Sequence, residues 1–268
     1  MRIGIIGGGF MGEGFLRGVL RAEVAAPSDI AVSDVSAARR AALSEHGVRV
    51  TEDAESAVIG ADLVLLAVKP DDLPSVAEAL RGRIPSGAVL VSIAAGVRLE
   101  DVQRLAAHQP AVRVMPNLPA AIGEGVAVYY PAAAVSARQL EQVERVLRAV
   151  ASEVLEVHDD DAVDLATAVH GSGPAYVYLV VESMIDAAVR LGMKRPDATR
   201  LVLATVVGSA RYQQETGRHP AELRNAVTSP GGTTAAALAE LEAAGLRSAF
   251  DDAIEAAYLR AQDLGEKQ

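Results

Sequence analysis

Three observations predict a two-part molecule: an α/β N-terminal Rossmann-type domain with a mainly parallel sheet, followed by an all-α C-terminal domain. Short apolar runs alternate with helical patterns from the N-terminus to about residue 158. The first of those runs ends in Gly-x-Gly-x-x-Gly. Beyond Asp159 no strand pattern remains, and helices divided by Gly and Pro fill the chain. The predicted division is 1–158 for the α/β part and 159–268 for the helical part.

The elements follow in order. "RIGIIG" (Arg2–Gly7) is a continuous apolar run that ends in glycines, as a buried parallel strand does. A helix is predicted from about Phe10 to Arg21. "DIAVSD" (Asp29–Asp34) is the second strand, Ala37–Glu45 the next helix and Val48–Val50 a short third strand. "ADLVLLAVKP" (Ala61–Pro70) has the strongest strand pattern. Ala88–Gly96 and Ala111–Asn117 continue the series. Gly125–Tyr130 and Glu153–His158 are late strands flanking a helix from Ser136 to Val150. The helical half reads as Asp161–Leu191, Pro196–Thr216, Pro220–Asn225, Gly232–Ala243 and Leu246–Leu264. Gly171, Gly173 and Pro174 are expected to bend or break the first of these.

Composition narrows the functional classes. The chain has 268 residues and a net charge of −10, and no Lys/Arg run forms a basic face, which argues against nucleic-acid binding. Cysteine is absent, so disulfides, thiolate metal sites and Cys nucleophiles are excluded together. No apolar run approaches the ~18 residues of a membrane span, and the N-terminus lacks the pattern of a signal peptide. A soluble, cytoplasmic protein is expected. The run Asp159–Asp161 resembles ordinary acidic partners of a helix start, and no metal site is predicted.

The glycine motif carries the first functional expectation. Gly7 permits a tight turn, Gly9 lets a pyrophosphate approach the backbone, and Gly12 lets helix and strand pack closely. The amides of Phe10, Met11 and Gly12 then face the anion at a helix N-terminus. Ser33 and Asp34 end the second strand, and Asp34 stands 22 positions after Gly12, near the spacing of a ribose acceptor. Ser36, Arg39 and Arg40 follow. The acid favours NADH, hydroxyls with arginines favour NADPH, and both cofactors stay open. Asp34 and Ser36 also read as helix caps, and the arginines as solvated helix surface. The later strand ends, with Ala67, Val68, Lys69, Pro70 and Ala94, lie where such sheets hold ligands, and Asn117 joins them after its own strand.

Longer segments carry a resemblance. "RVMPNLPA" (Arg113–Ala120), "GEG" (Gly123–Gly125), "HGSGPAYVYLVVE" (His170–Glu182) and above all "VTSPGGTT" (Val227–Thr234) closely resemble the pyrroline-5-carboxylate reductase family, over essentially the whole chain. The resemblance implies reduction of a cyclic imine to L-proline with NADPH or NADH. It also implies a helical domain that intertwines with a second subunit, commonly with further assembly into a pentamer of dimers. The small substrate carries one carboxylate beside a ring C=N. The resemblance places Ser229, Gly231, Gly232, Thr233 and Thr234 against it, with Thr234 beside the ring nitrogen. Three positions depart from the family pattern: Leu118 stands where Thr is frequent, His170 where Ser is usual, and Asp34 where a neutral residue often accompanies NADPH.

The local chemistry of "TSPGGTT" points the same way. A Pro-Gly-Gly turn feeding a helix offers oriented amides to a carboxylate without a charged side chain. An ordinary helix cap needs one or two such residues, and this stretch has two glycines and four hydroxyls. Catalysis by His170 is not expected, because a lone His beside a kink is more often structural. Two rivals remain. A β-hydroxyacid-type dehydrogenase would need a catalytic Lys early in the helical half, and beyond Lys69 the chain has only Lys194 and Lys267. A non-catalytic dinucleotide-sensing dimer would need the first half without the 228–234 loop.

Overall fold

A computed structural model describes residues 1–266. The chain divides into two compact units. One comprises Met1–Ser172 together with the chain from Ala257 onward, and the other Gly173–Ala256.

The first unit is built on eight strands: β1 (Ile3–Ile6), β2 (Ile30–Ser33), β3 (Arg49–Thr51), β4 (Leu63–Leu66), β5 (Val89–Ser92), β6 (Ala111–Pro116), β7 (Gly125–Pro131) and β8 (Ala151–Glu156). Their order is β3-β2-β1-β4-β5-β6-β7-β8. The pairing is parallel from β3 to β6. β7 runs antiparallel to β6, and β8 lies parallel to β7. The reversal has a simple cause. Only a short 3-10 turn, Leu118–Ile122, joins β6 to β7, and a parallel connection needs a crossover of a dozen or more residues.

Alternate residues of each strand point to opposite faces, and both faces are covered. Ile3, Ile5, Leu63, Leu65, Val89 and Val91 pack under α1 (Phe10–Arg21), α2 (Ala37–Ser44) and α6 (Ala137–Arg148). Ile6, Val64, Leu66 and Leu90 pack under α3 (Ala54–Val58), α4 (Leu73–Ala79) and α5 (Leu99–Ala106). This double burial explains why the strands read as unbroken apolar runs. β8 begins at Ala151, two residues before the expected start, because its outer side is largely exposed and apolar pattern marks only part of it.

The helix expected over Asp161–Leu191 is three pieces: α7 (Asp160–Ala166), a π-turn (Thr167–Gly171) and α8 (Gly173–Arg190). The compact units part after Ser172 rather than at 158/159 because α7 and the π-turn are tied to the sheet. Arg113 of β6, 3% exposed, holds Asp160 at 2.6 Å and Asp164 at 2.5 Å. Asp164 is more buried still, its second carboxylate oxygen has no hydrogen-bond partner, and burial pushes its pKa up against the pull of Arg113. The Asp159–Asp161 run is thus more than a set of dipole partners. Asp159 caps α7, Asp160 also accepts from the Leu99 amide, and Asp161 pairs with Arg98. At its far end the chain returns to this unit, where the Leu264 side chain lies so close to Gly96 that a Cβ there would stand 2.7 Å from it.

The second unit holds α8, α9 (Arg195–Thr216), α10 (Pro220–Ala226), α11 (Thr233–Ala243) and the first part of α12 (Leu246–Glu266). Its buried cluster is small, centred on Ile185, Ala198 and Val202. Val177, Leu179, Leu201, Leu203, Val207 and Leu241 are exposed in the single chain. A helical layer with that much uncovered apolar surface is built to be covered. No helix among the described residues is long and apolar enough to cross a membrane.

Arg113→Met strips the buried Asp164 and the partly buried Asp160 of their countercharge. The expected loss is about 3–5 kcal/mol of unfolding free energy, read as a large fall in the urea midpoint. A midpoint unchanged from the parent chain would refute the anchoring role of this cluster.

Candidate nucleotide cradle and substrate loop

β1 ends where the chain must turn sharply, and the three motif glycines meet three different constraints. Gly7 has φ +97° and donates to the Ser33 carbonyl at 2.9 Å, which locks the turn to the end of β2. A Cβ on Gly12 would lie 1.9 Å from the Gly7 carbonyl oxygen. A Cβ on Gly9 would meet nothing within 4 Å. The first two positions are therefore closed by protein, and the middle one faces open space. Gly9 caps α1 without a side chain, so the amides of Phe10, Met11 and Gly12 have no intrahelical acceptor. This cradle fits a pyrophosphate.

Gly8, the unassigned residue of the motif, is constrained as well. A Cβ there would lie 2.2 Å from Leu43 Cδ1. Its amide donates to Asp34 Oδ2 at 2.9 Å, and its carbonyl accepts from the Arg39 guanidinium. Arg39 also pairs with Glu13 at 2.6 Å, a contact that holds the Glu13 carboxyl below its usual range. Arg40 donates to the carbonyls of Asp34 and Val35 and to Glu52. The two arginines, read from the sequence either as cations favouring NADPH or as solvated helix surface, are anchored within the protein. Ser36 caps α2 as expected, while Asp34 accepts from the Ser36 amide at 2.8 Å and clamps the glycine turn instead of capping the helix.

A cavity of about 480 Å³ opens over this turn. It brings together Gly7, Gly9, Ser33, Asp34, Ala67, Val68 and Lys69. Phe10, Met11, Gly12 and Pro70 adjoin these residues in the chain but do not line the cavity. Ala94 is buried in the core. Asn117 is buried too. Its Oδ1 accepts from the Val126 amide and its Nδ2 donates to the His170 carbonyl, so its side chain joins β7 to the π-turn and does not face the cavity.

His170, in the π-turn, reaches α7 and β6. Its Nδ1 lies 2.6 Å from the Ala166 carbonyl oxygen and its Nε2 2.9 Å from that of Met115. This is a structural role, in keeping with the sequence expectation. Leu118 is half exposed beside Asn117.

The 228–234 loop belongs to the second unit. Gly232 N donates to the Ser229 carbonyl at 3.0 Å, and Gly231 has φ +69°. Ser229-Pro230-Gly231-Gly232 is thus a turn with Pro at its second residue and a left-handed conformation at its third, which glycine supplies. A Cβ on Gly232 would lie 2.4 Å from Ser229 Oγ. Gly232 caps α11 without a side-chain bond, leaving the amides of Thr233, Thr234 and Ala235 without an intrahelical acceptor. Thr228 is structural, donating to the Arg224 carbonyl. The hydroxyls of Thr233 and Thr234 make no hydrogen bond among the described residues.

Sequence reasoning missed Gly8 and Arg113. A third glycine between two motif glycines and an arginine inside an apolar strand were the available signals. Among the described residues, no group of three or more His, Cys, Asp or Glu is placed to hold a metal ion.

Two family models match the chain: "Pyrroline-5-carboxylate reductase dimerisation" over residues 160–264, and "NADP oxidoreductase coenzyme F420-dependent" over residues 2–96. A pyrroline-5-carboxylate reductase from Synechocystis sp. is 40% identical over 268 residues, covering 100% of this chain and 99% of its own. A solved pyrroline-5-carboxylate reductase from Coxiella burnetii is 34% identical with a TM-score of 0.90, covering 98% of each chain. The Plasmodium falciparum pyrroline carboxylate reductase, solved with NADP bound, is 28% identical with a TM-score of 0.89, covering 99% of this chain and 98% of its own.

Gly9→Ala and Gly12→Ala separate ligand binding from folding. Gly9→Ala should leave stability within about 1 kcal/mol, yet weaken dinucleotide affinity at least ~10-fold by blocking close approach. Gly12→Ala should lower both, with a stability loss of about 1–3 kcal/mol. Calorimetric titration and thermal denaturation read the two effects. Unchanged affinity in Gly9→Ala would remove the cradle.

Proposed function

The chain belongs to the pyrroline-5-carboxylate reductase family, and from that premise we propose which of its residues carry the reaction. It is an oxidoreductase that reduces 1-pyrroline-5-carboxylate to L-proline with NADH or NADPH, the last step of proline biosynthesis. The reduced nicotinamide, when bound, supplies the hydride that adds to the ring imine carbon. Residues 1–158 hold that cofactor and 159–268 serve dimerisation and substrate binding. We place the enzyme in the cytoplasm.

The observation that carries the residue assignment is the start of α11. The Ser229–Gly232 turn presents three amides without intrahelical acceptors next to two unengaged hydroxyls. A small carboxylate is met there by main-chain donors and the positive end of a helix. Ser229, Gly231, Gly232, Thr233 and Thr234 form this substrate loop. Gly7, Gly9 and the amides of Phe10, Met11 and Gly12 hold the pyrophosphate. Ser33, Asp34, Ala67, Val68, Lys69 and Pro70 flank the rest of the dinucleotide, and Ala94 and Asn117 shape the neighbouring strand ends. The two groups belong to different compact units.

Thr234 is the catalytic residue of this scheme. A protonated imine is already electrophilic, so the protein needs no strong general acid. The Thr234 hydroxyl orients the ring nitrogen and holds its proton while the ring carbon gains the hydride. The loop also excludes water and fixes the ring. Thr234→Ala should lower kcat/KM with pyrroline-5-carboxylate by ~10²-fold without abolishing turnover. NADH and NADPH oxidation, followed separately, measure it. An unchanged kcat/KM would remove that role, and no turnover of the parent chain with either cofactor would defeat the functional reading.

The exposed apolar faces of α8 and α9 support a homodimer through the helical domain, with assembly of dimers into a decamer as the larger form. Leu179→Glu with Leu203→Glu should shift sedimentation toward the monomer while the thermal transition of the nucleotide-binding unit persists. An assembly that withstands both charges would disprove this interface.

A further inference from the structure

We propose that this chain selects NADH over NADPH, with Asp34 as the specificity-determining residue and two self-anchored arginines as the reason no 2′-phosphate site forms. The inference rests on the reading that the glycine cradle holds a reduced nicotinamide dinucleotide.

Asp34 lies at the carboxyl end of β2, where a dinucleotide places its adenosine ribose. Its two carboxylate oxygens accept from two backbone amides, Gly8 at 2.9 Å and Ser36 at 2.8 Å. This clamp requires two acceptors. A neutral Asn offers one acceptor and one donor, and the donor would oppose an N–H. The negative charge is therefore part of how the turn is built. Each carboxylate oxygen keeps a second lone pair, so the group still accepts from a ribose hydroxyl.

A 2′-phosphate would need cations, and the nearby ones are committed. Arg39 directs Nε and Nη2 at the Gly8 carbonyl and reaches Glu13. Arg40 directs Nη1 at the Asp34 and Val35 carbonyls and Nη2 at Glu52. Neither arginine lines the cavity. The charged side chains that do are Asp34, Glu52, Asp53 and Asp72 against Lys69 alone. A 2′-phosphate of about −2 charge entering beside Asp34 meets a net negative wall. The pair Arg40–Glu52 is the weakest link, because Glu52 is 74% exposed in its side chain and such pairs contribute little. Releasing Arg40 from it is the direct route to a phosphate site.

The full chain is titrated with NADH and NADPH by nucleotide fluorescence, and with 5′-AMP and 2′,5′-ADP by calorimetry, at low and raised salt. NADH should bind at least ~10-fold tighter than NADPH, and the gap should narrow with salt because charge repulsion is screened. 2′,5′-ADP should bind no tighter than 5′-AMP. An NADPH Kd equal to or below that of NADH overturns the proposal. In Asp34→Asn with Glu52→Gln, the gap should shrink at least ~3-fold, chiefly through tighter NADPH. Circular dichroism checks the fold of that variant. Glu52→Gln alone, an exposed change, should shift NADPH in the same direction if the double variant fails to fold. A gap that Glu52→Gln and every folded variant leave intact overturns the roles given to these residues. Failure to bind either nucleotide, or absence of turnover, would strike the functional reading itself, whereas tight NADPH binding with turnover strikes only the selectivity.

Discussion

The cradle depends on one close approach, that of Gly12 to the carbonyl oxygen of Gly7. The gap there has no room for a methyl group. It lets α1 start directly over the end of β1, so that the first amides of the helix point beyond the sheet edge instead of into a loop. Everything proposed for the cofactor follows from that placement. A looser turn would tilt α1 and move its amides off the strand-end crevice where parallel sheets take their ligands.

The turn is held from outside as well as from within. Asp34 takes the Gly8 amide and Arg39 takes the Gly8 carbonyl, so both polar groups of one peptide segment are engaged by side chains from β2 and α2. The clamp ties cofactor chemistry to folding. In the proposed cofactor site, the carboxylate that fixes the loop also sets the sign of the field at the ribose end. An amino-acid change made there for specificity alters the loop, and one made for the loop alters specificity.

The helical unit solves a different problem with similar means. Its 228–234 loop uses a proline and a left-handed glycine to bring a helix start to the surface with its amides unmatched. Its own core is too small to cover its helices. Exposed Leu and Val on α8 and α9, with Leu241 on α11, leave apolar surface that oligomerisation covers.

Local signals made much of this legible. β1, α1, β2 and α9 fall where periodicity places them, since a doubly covered strand and a long capped helix each impose a pattern on neighbouring residues. The Gly7–Gly12 motif and the 228–234 loop are equally local, because turn geometry is set by the residues in the turn. Contacts between residues far apart in the chain were not legible. The anchoring of Asp160 and Asp164 by Arg113, the His170 and Asn117 bridges across β6, β7 and the π-turn, and the engagement of Arg39 by Gly8 and Glu13 all depend on separations that only folding closes. The sequence alone thus determined the fold class, the glycine turn after β1 and the Pro-Gly-Gly turn before α11. The tertiary structure alone decided where the compact units part and which charges are free to meet a ligand, because pattern reports a residue's neighbours along the chain and electrostatics depends on its neighbours in space.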